Sequence, residues 1–188
     1  MNLCGINFLV VLNKIDSTQT LAKKLINNSQ IQKKDKILII SKTQYAGRGQ
    51  KDNKWSSEYG GLYFSFITRT GEKNIKDIQK LSLITAKAIK DTIEKIYNIK
   101  CFIKHPNDIY VNQNNKKISG ILIETIPYGK IRYIITGIGV NFHNKIPQEL
   151  KNTATTIYEI TKRKNNQELF LKDFFSKYFK LTDFLYEP

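Results

Sequence analysis

The sequence predicts an α+β fold, a mixed and largely antiparallel sheet with helices packed on one face. Three features predict it. Short apolar runs alternate with turn-forming clusters such as "HPND", "NQNNK" and "PYGK", the pattern of strands joined by short turns. Such connections favour antiparallel pairing, because a parallel pair needs a long crossover. Two longer segments repeat apolar residues three or four apart and read as amphipathic helices. At 188 residues and 40% hydrophobic content, without an internal repeat or a Pro/Ser-rich linker, the chain reads as one domain with a substantial core.

The elements follow in order. Phe8–Leu12 is an apolar strand, too short to span a bilayer and without the basic flank of a secretory signal. A helix from about Ser17 to Asn28 comes next, with Asp16 and Gln19 at capping-box spacing and Leu21, Ala22, Leu25 and Ile26 at helical spacing. "KILIISKT" suits a buried strand, and "GGLYFSFITRT" alternates around Leu62, Phe64 and Phe66. Ile78–Tyr97 is the long helix. Strands are expected at Cys101–Lys104, Asp108–Val111, Ile118–Ile126 and Ile131–Val140, and a last helix at Asn166–Phe184.

The formal charge of +15 favours an anionic partner, whether nucleic acid, anionic membrane, nucleotide or an acidic protein, but the lysines are scattered along the chain and the charge alone decides nothing. Cys4 and Cys101 show no CxxC or Cys/His spacing, which excludes a zinc module or disulfide framework and suggests reduced thiols in a cytoplasmic protein.

Four segments are poor choices for structure alone. "DST" at Asp16–Thr18 is accounted for by a helix cap. "QYAGRGQKDNKW", from Gln44, is a long loop in which Gly47 and Gly49 permit a nest of backbone N–H groups, with Arg48 able to contact a phosphate. It is neither a GxxxxGK(S/T) loop nor a GxGxxG turn. In "KHPNDIYVNQNNKKISGILIE", Pro106, Asn107 and Asp108 form a turn, Lys117 opens a strand, and Gly120 admits close approach of a ligand or backbone. In "TGIGVNF", Gly137 and Gly139 weaken a core strand, so something packs tightly there.

Taken in order, these segments resemble biotin protein ligases. That family carries an acidic–Ser–Thr cap, a QxxGRGRxGRxW loop, a KWPND turn, a KxxGIL(V/I)E strand and a GIGxN strand end. The matches here are "DST", "QYAGRGQKDNKW", "KHPNDIY", "KISGILIE" and "GIGVNF", from about Ile15 to Asn141. The resemblance implies the biotin ligase catalytic fold, which is similar to that of class II aminoacyl-tRNA synthetases. It implies that biotin and ATP form biotinyl-5′-AMP, with Mg2+ on the ATP phosphates and no protein metal site. Biotin then passes to one lysine of a biotin carboxyl carrier protein, or of such a domain in a biotin-dependent carboxylase.

By motif match, Ser17, Thr18, Gln44, Gly47, Gly49, Lys117 and Gly120 would receive biotin. Arg48, Gln50, Trp55, Asn107 and Asn141 would receive the nucleotide. Lys117, Arg48 and Asp108 would carry the chemistry. Lys117 would offset charge at the α-phosphate, and Asp108 would act on the incoming lysine or place metal and substrate. Where the family has its second loop arginine, next glycine and following arginine, this chain has Gln50, Asp52 and Asn53, which implies a leakier site for the adenylate. His105 replaces the KWPND tryptophan and is expected to be a packing residue. The resemblance shows neither an N-terminal helix-turn-helix nor a C-terminal SH3-like barrel, so a single catalytic domain, without DNA or membrane binding, is expected. A lipoate or octanoate ligase is the nearest alternative, though no RRxSGGG-type loop is present. An inactive relative and a basic nucleic-acid-binding module are the others.

Overall fold

The computed structural model describes residues 3–28, 31, 36–51, 53–71 and 78–182. Its centre is a seven-stranded sheet in the order β1-β2-β3-β7-β6-β5-β4. The strands are β1 (Phe8–Ile15), β2 (Ile37–Gln44), β3 (Leu62–Gly71), β4 (Cys101–Lys104), β5 (Asp108–Val111), β6 (Lys116–Tyr128) and β7 (Ile131–Val140). Only β1 and β2 run parallel, joined as expected through a helical crossover, α1 (Thr18–Asn27). Every other pairing between these strands is antiparallel.

Strand alternation divides the chain between two layers. Leu38, Phe64, Phe66, Ile134 and Ile138 point to a core shared with α2 (Ile78–Tyr97) and α4 (Gln167–Thr182). There Phe66 meets Tyr178 and Phe175 edge-on, with ring centres 4.9 and 5.2 Å apart, a geometry that suits aromatic quadrupoles. Ile37, Ile39, Ile67, Tyr133 and Ile135 point the other way, to Ala22 and Ile26 of α1. The helices therefore do not all share one face: α2 and α4 do, and α1 lies opposite. The parity of β2 is the reason, since a run apolar at consecutive positions supplies both faces.

The N-cap of α1 is Ser17, whose hydroxyl accepts from the Gln19 amide, rather than Asp16; Asp16 Oδ1 instead accepts from the Ser17 amide. Two short elements were not expected, a 3-10 turn at Gln148–Leu150 and α3 (Ile157–Thr161), which a Thr156–Glu159 capping box opens. The expected last turn of the final helix, at Phe184, and Asp52 lie outside the described residues. Among those residues no helix is long and apolar enough to cross a membrane.

A candidate active site floored by glycine

On the α1 face, apolar side chains give way to small and polar ones toward one end. Along β7, Tyr133 and Ile135 are followed by Gly137 and Gly139, which pair with Leu122 and Gly120 on one side and Ser65 and Tyr63 on the other. The glycines leave the sheet backbone bare, and a cavity of about 170 Å³ lies over it. Its floor is occupied closely. A methyl group at Gly137 would stand 2.5 Å from Gln19 Oε1, and one at Gly120 would stand 2.7 Å from the Trp55 ring. One at Gly139 would collide with the Trp55 indole, whose Nε1–H is buried without a hydrogen-bond partner among the described residues.

The end of the cavity nearest α1 is polar. Gln44 Oε1 accepts from the Thr18 amide at 2.8 Å and the Thr18 hydroxyl at 3.2 Å, while its Nε2 donates to Ser57 Oγ at 2.7 Å. Thr18 Oγ1 lies 2.8 Å from Ser65 Oγ, which donates to Gln19 Oε1 at 2.9 Å. Gln19 Nε2 reaches the Ile135 carbonyl at 3.3 Å. Gln19 therefore braces the floor instead of closing a capping box. Sequence reasoning missed this role of Gln19, and those of Ser57 and Ser65. Only the alternation of "LYFSFI", which sets Ser65 opposite the phenylalanines, hinted at one of them.

Residues 44–51 and 53–57 form the roof. The segment is more regular than a loop: Gln44 bridges Ser57, Arg48 bridges Lys54, and Lys51 takes a positive φ of 51° at the tip. The Gly49 amide donates to Asn53 O at 2.7 Å, so it is spoken for rather than free in an anion nest. Neither Gly47 nor Gly49 adopts a left-handed conformation. Gly47 is required by closeness, because a methyl there would strike the Trp55 carbonyl. Arg48 reaches across to β6, where both terminal nitrogens meet the Glu124 carboxylate at 3.0 Å, and Lys23 Nζ joins it at 2.7 Å. Burial pushes the Glu124 carboxyl upward, but hydrogen bonds from Lys23 and Gln19 and the charges of Arg48 and Lys23 outweigh it and hold the group below its ordinary value.

Lys117 reaches the cavity through an irregularity. Lys117 and Gly120 are three apart and would face opposite sides of a regular strand. A β-bulge between β5 and β6 pairs Ile109 with Ser119 but Tyr110 with Lys117, which sends Ile118 into the main core and Lys117 to the site face. The Lys117 backbone is held by bonds with Thr153 O and the Thr155 amide. Its ammonium lies 2.8 Å from Asp108 Oδ1 and 5.1 Å from the Trp55 ring centre. Asn107 clamps the same strand, since its Nδ2 donates to Ile121 O and its carbonyl accepts from the Ile121 amide.

The cavity thus brings together Ser17, Thr18, Gln44, Arg48, Gly49, Gln50, Trp55, Asn107, Asp108, Lys117 and Gly120. Gly47 stands just behind Gln44 and supports the roof without lining the space. Asn141 is not brought in. It is buried, its side-chain oxygen accepts from Asn144 Nδ2 at 3.2 Å, and its backbone ties β6 to α3. His105 is exposed, so it does not fill the packing role expected of it.

The family model for the biotin/lipoate A/B protein ligases matches residues 11–141, the span that builds this cavity. The chain belongs to that family. It is 35% identical over 154 residues to the bifunctional ligase/repressor BirA of Bacillus subtilis, covering 79% of this chain and 46% of that protein. It is 30% identical over 180 residues to the biotin–protein ligase of Schizosaccharomyces pombe, covering 86% and 28%. The chain spans about half the length of the Bacillus relatives or less of the yeast one. The structure of the Aquifex aeolicus biotin protein ligase in complex with biotin and ATP aligns with a TM-score of 0.79 and 31% identity, over 96% of this chain and 72% of that one.

Proposed function

We propose that this member of the family activates biotin with ATP as biotinyl-5′-AMP and passes it to a lysine of a biotin carboxyl carrier domain. One observation carries the proposal. The bulge-directed Lys117 and the roof residue Arg48 bring positive charge to the same cavity whose far end is the Thr18–Gln44 polar cluster. The cluster suits a ureido head, with its paired donors and acceptor, better than a dithiolane, which offers only weakly accepting sulfur.

In the first step a carboxylate oxygen attacks the α-phosphorus, and the bond to pyrophosphate breaks. Two anions must meet, so a fixed ammonium and guanidinium lower the barrier by countering charge that accumulates in the transition state. Gln50, Asn53 and Lys54 close over the product in the roof and limit access of water to the anhydride. In the second step the carrier's amine attacks the carbonyl carbon, and the bond to the phosphate oxygen breaks to release AMP. Asp108, the cavity's one carboxylate among the described residues, draws in the lysine ammonium and takes up its proton, which passes to solvent, so that the neutral amine attacks. Mg2+ would be carried on the ATP phosphates, which supply hard oxygen ligands themselves. A reducing, cytoplasmic setting fits the free thiols of Cys4 and Cys101.

Transfer of labelled biotin to a purified carrier domain with MgATP tests the proposal. Wild type should label the carrier and Lys117→Ala should not. Labelling with lipoate but not with biotin would shift the assignment to the lipoate branch of the family. Inertness toward biotin, lipoate and octanoate would refute a ligase activity for this chain.

A further inference from the structure

The sheet face that carries the cavity is only partly covered by the described residues. The contacts of α1 fall on β2, β3 and β7, and the roof spans the glycine floor on β6 and β7. At the β4–β5 end, Cys101, Ile103, Ile109 and Val111 turn to the opposite face, where α2 packs. The alternate residues Phe102, Lys104, Asp108 and Tyr110 therefore stand on the cavity face. Phe102 is 37% exposed, its ring lies 5.7 Å from that of Tyr110, and Lys104 Nζ is 4.9 Å from the Tyr110 ring centre. Tyr110 is the register partner of Lys117, so this aromatic and basic platform begins one strand away from the ammonium at the cavity mouth.

We infer that the β4–β5 platform is the docking surface for the acidic carrier domain whose lysine receives the acyl group. The inference rests on the ligase reading above. A lysine side chain is short, so the carrier backbone must come to rest against whatever borders Asp108 and Lys117, and the platform borders both. Its composition suits a protein partner. Paired aromatic rings with an adjoining cation form the kind of anchor that dominates protein interfaces. Lys51 and Lys54, exposed on the roof, and Lys104 bring positive charge to two sides of the mouth, and the chain as a whole carries +15, so an acidic partner is steered to it. A small ligand is a poorer occupant. Phe102, Lys104 and Tyr110 do not line the cavity, and small-molecule sites are concave.

The test compares Phe102→Ala, Lys104→Glu and Lys104→Arg with wild type in two assays. Biotin-dependent ATP–pyrophosphate exchange reads the first step and confirms that each variant is folded; carrier labelling over a range of carrier concentrations reads docking. The platform predicts that Phe102→Ala and Lys104→Glu each raise the carrier KM about tenfold. Exchange rates and the KM for ATP should stay within about twofold, and Lys104→Arg should restore the carrier KM. A carrier KM unchanged in both variants overturns the docking assignment alone. A raised KM for ATP overturns it in favour of a nucleobase platform. Absence of exchange in the wild type overturns the ligase reading and the docking surface with it.

Discussion

Glu124 is one point at which the roof is fastened to the sheet, and Glu124→Gln removes its charge while keeping its shape. Arg48 meets it through two contacts at 3.0 Å, but the arginine side chain is 40% exposed, so water screens the pair toward the surface range of about 0.5–1 kcal/mol. The Lys23 contact at 2.7 Å, with side chains 34% and 20% exposed, adds a similar amount but joins α1 to β6 rather than roof to floor. The roof alone should therefore lose about 1 kcal/mol of closure, which raises its open fraction about fivefold. Hydrogen exchange at the Gly49 and Trp55 amides, which donate to Asn53 O and Gly47 O, reads that opening directly. Both should exchange about fivefold faster in the variant, while amides of β3 and β7 keep their rates. The folded carboxyl titrates below its ordinary value, so its contribution is complete above that value and disappears as pH falls through the lowered one. Wild type and variant should converge in acid. Equal roof rates at neutral pH, or a uniform rise across the sheet, would refute the fastening role.

Other outcomes follow from the floor, the roof and the α3 side of the molecule. Gly137→Ala places a methyl 2.5 Å from Gln19 Oε1, an overpacking that costs about 1–3 kcal/mol. Tm should fall by about 2–4 °C per kcal/mol, and Gln19→Ala in the same chain should recover part of it; an unchanged Tm in the single variant would contradict the crowding. Gln50→Arg puts a guanidinium into the roof and should lower free biotinyl-AMP release relative to carrier labelling, an expectation that negligible release by the wild type would contradict. His143 accepts from the Asn165 amide at 2.8 Å, and burial, with the Lys164 charge, holds its pKa below the ordinary value. Its stabilising effect is then complete above about pH 6.5 and is lost as pH falls toward the lowered pKa. The Tm difference between about pH 7.5 and about pH 5 should shrink in His143→Gln; an unaltered difference would assign the acid sensitivity elsewhere.

Much of this was legible from local pattern. Ile78–Tyr97 and Ile131–Val140 have the expected bounds because their apolar periods of 3.6 and 2 run to clear turn residues. The assembly of Thr18, Gln44, Arg48, Asp108 and Lys117 around one cavity follows the ordered segments that resemble the family. What stayed hidden depends on pairing between distant strands. The bulge opposite Ile109 and Tyr110 has no signature in "KKISGIL", yet it alone turns Lys117 to the face of Gly120. The placement of α1 opposite α2 depends on which residues of an evenly apolar β2 point which way, and nothing local distinguishes Leu38 from Ile39. Asn141 is assigned to the nucleotide by its match to the GIGxN strand end; its contact with Asn144, three residues on, lies beyond the matched segment and cannot be read from it.

The glycine strip also bears on how this molecule tolerates change. Gly137 and Gly139 are backbone of a central strand and cavity-facing surface at once, and their neighbours Ile134 and Ile138 are locked into the aromatic layer below. A substitution there counts against folding and against the shape of the cavity together. The roof is different. Gln50, Asn53 and Lys54 touch the cavity from a short hairpin that contributes nothing to either apolar layer. Sequence variation can therefore accumulate in the roof without drawing on the stability of the fold beneath it.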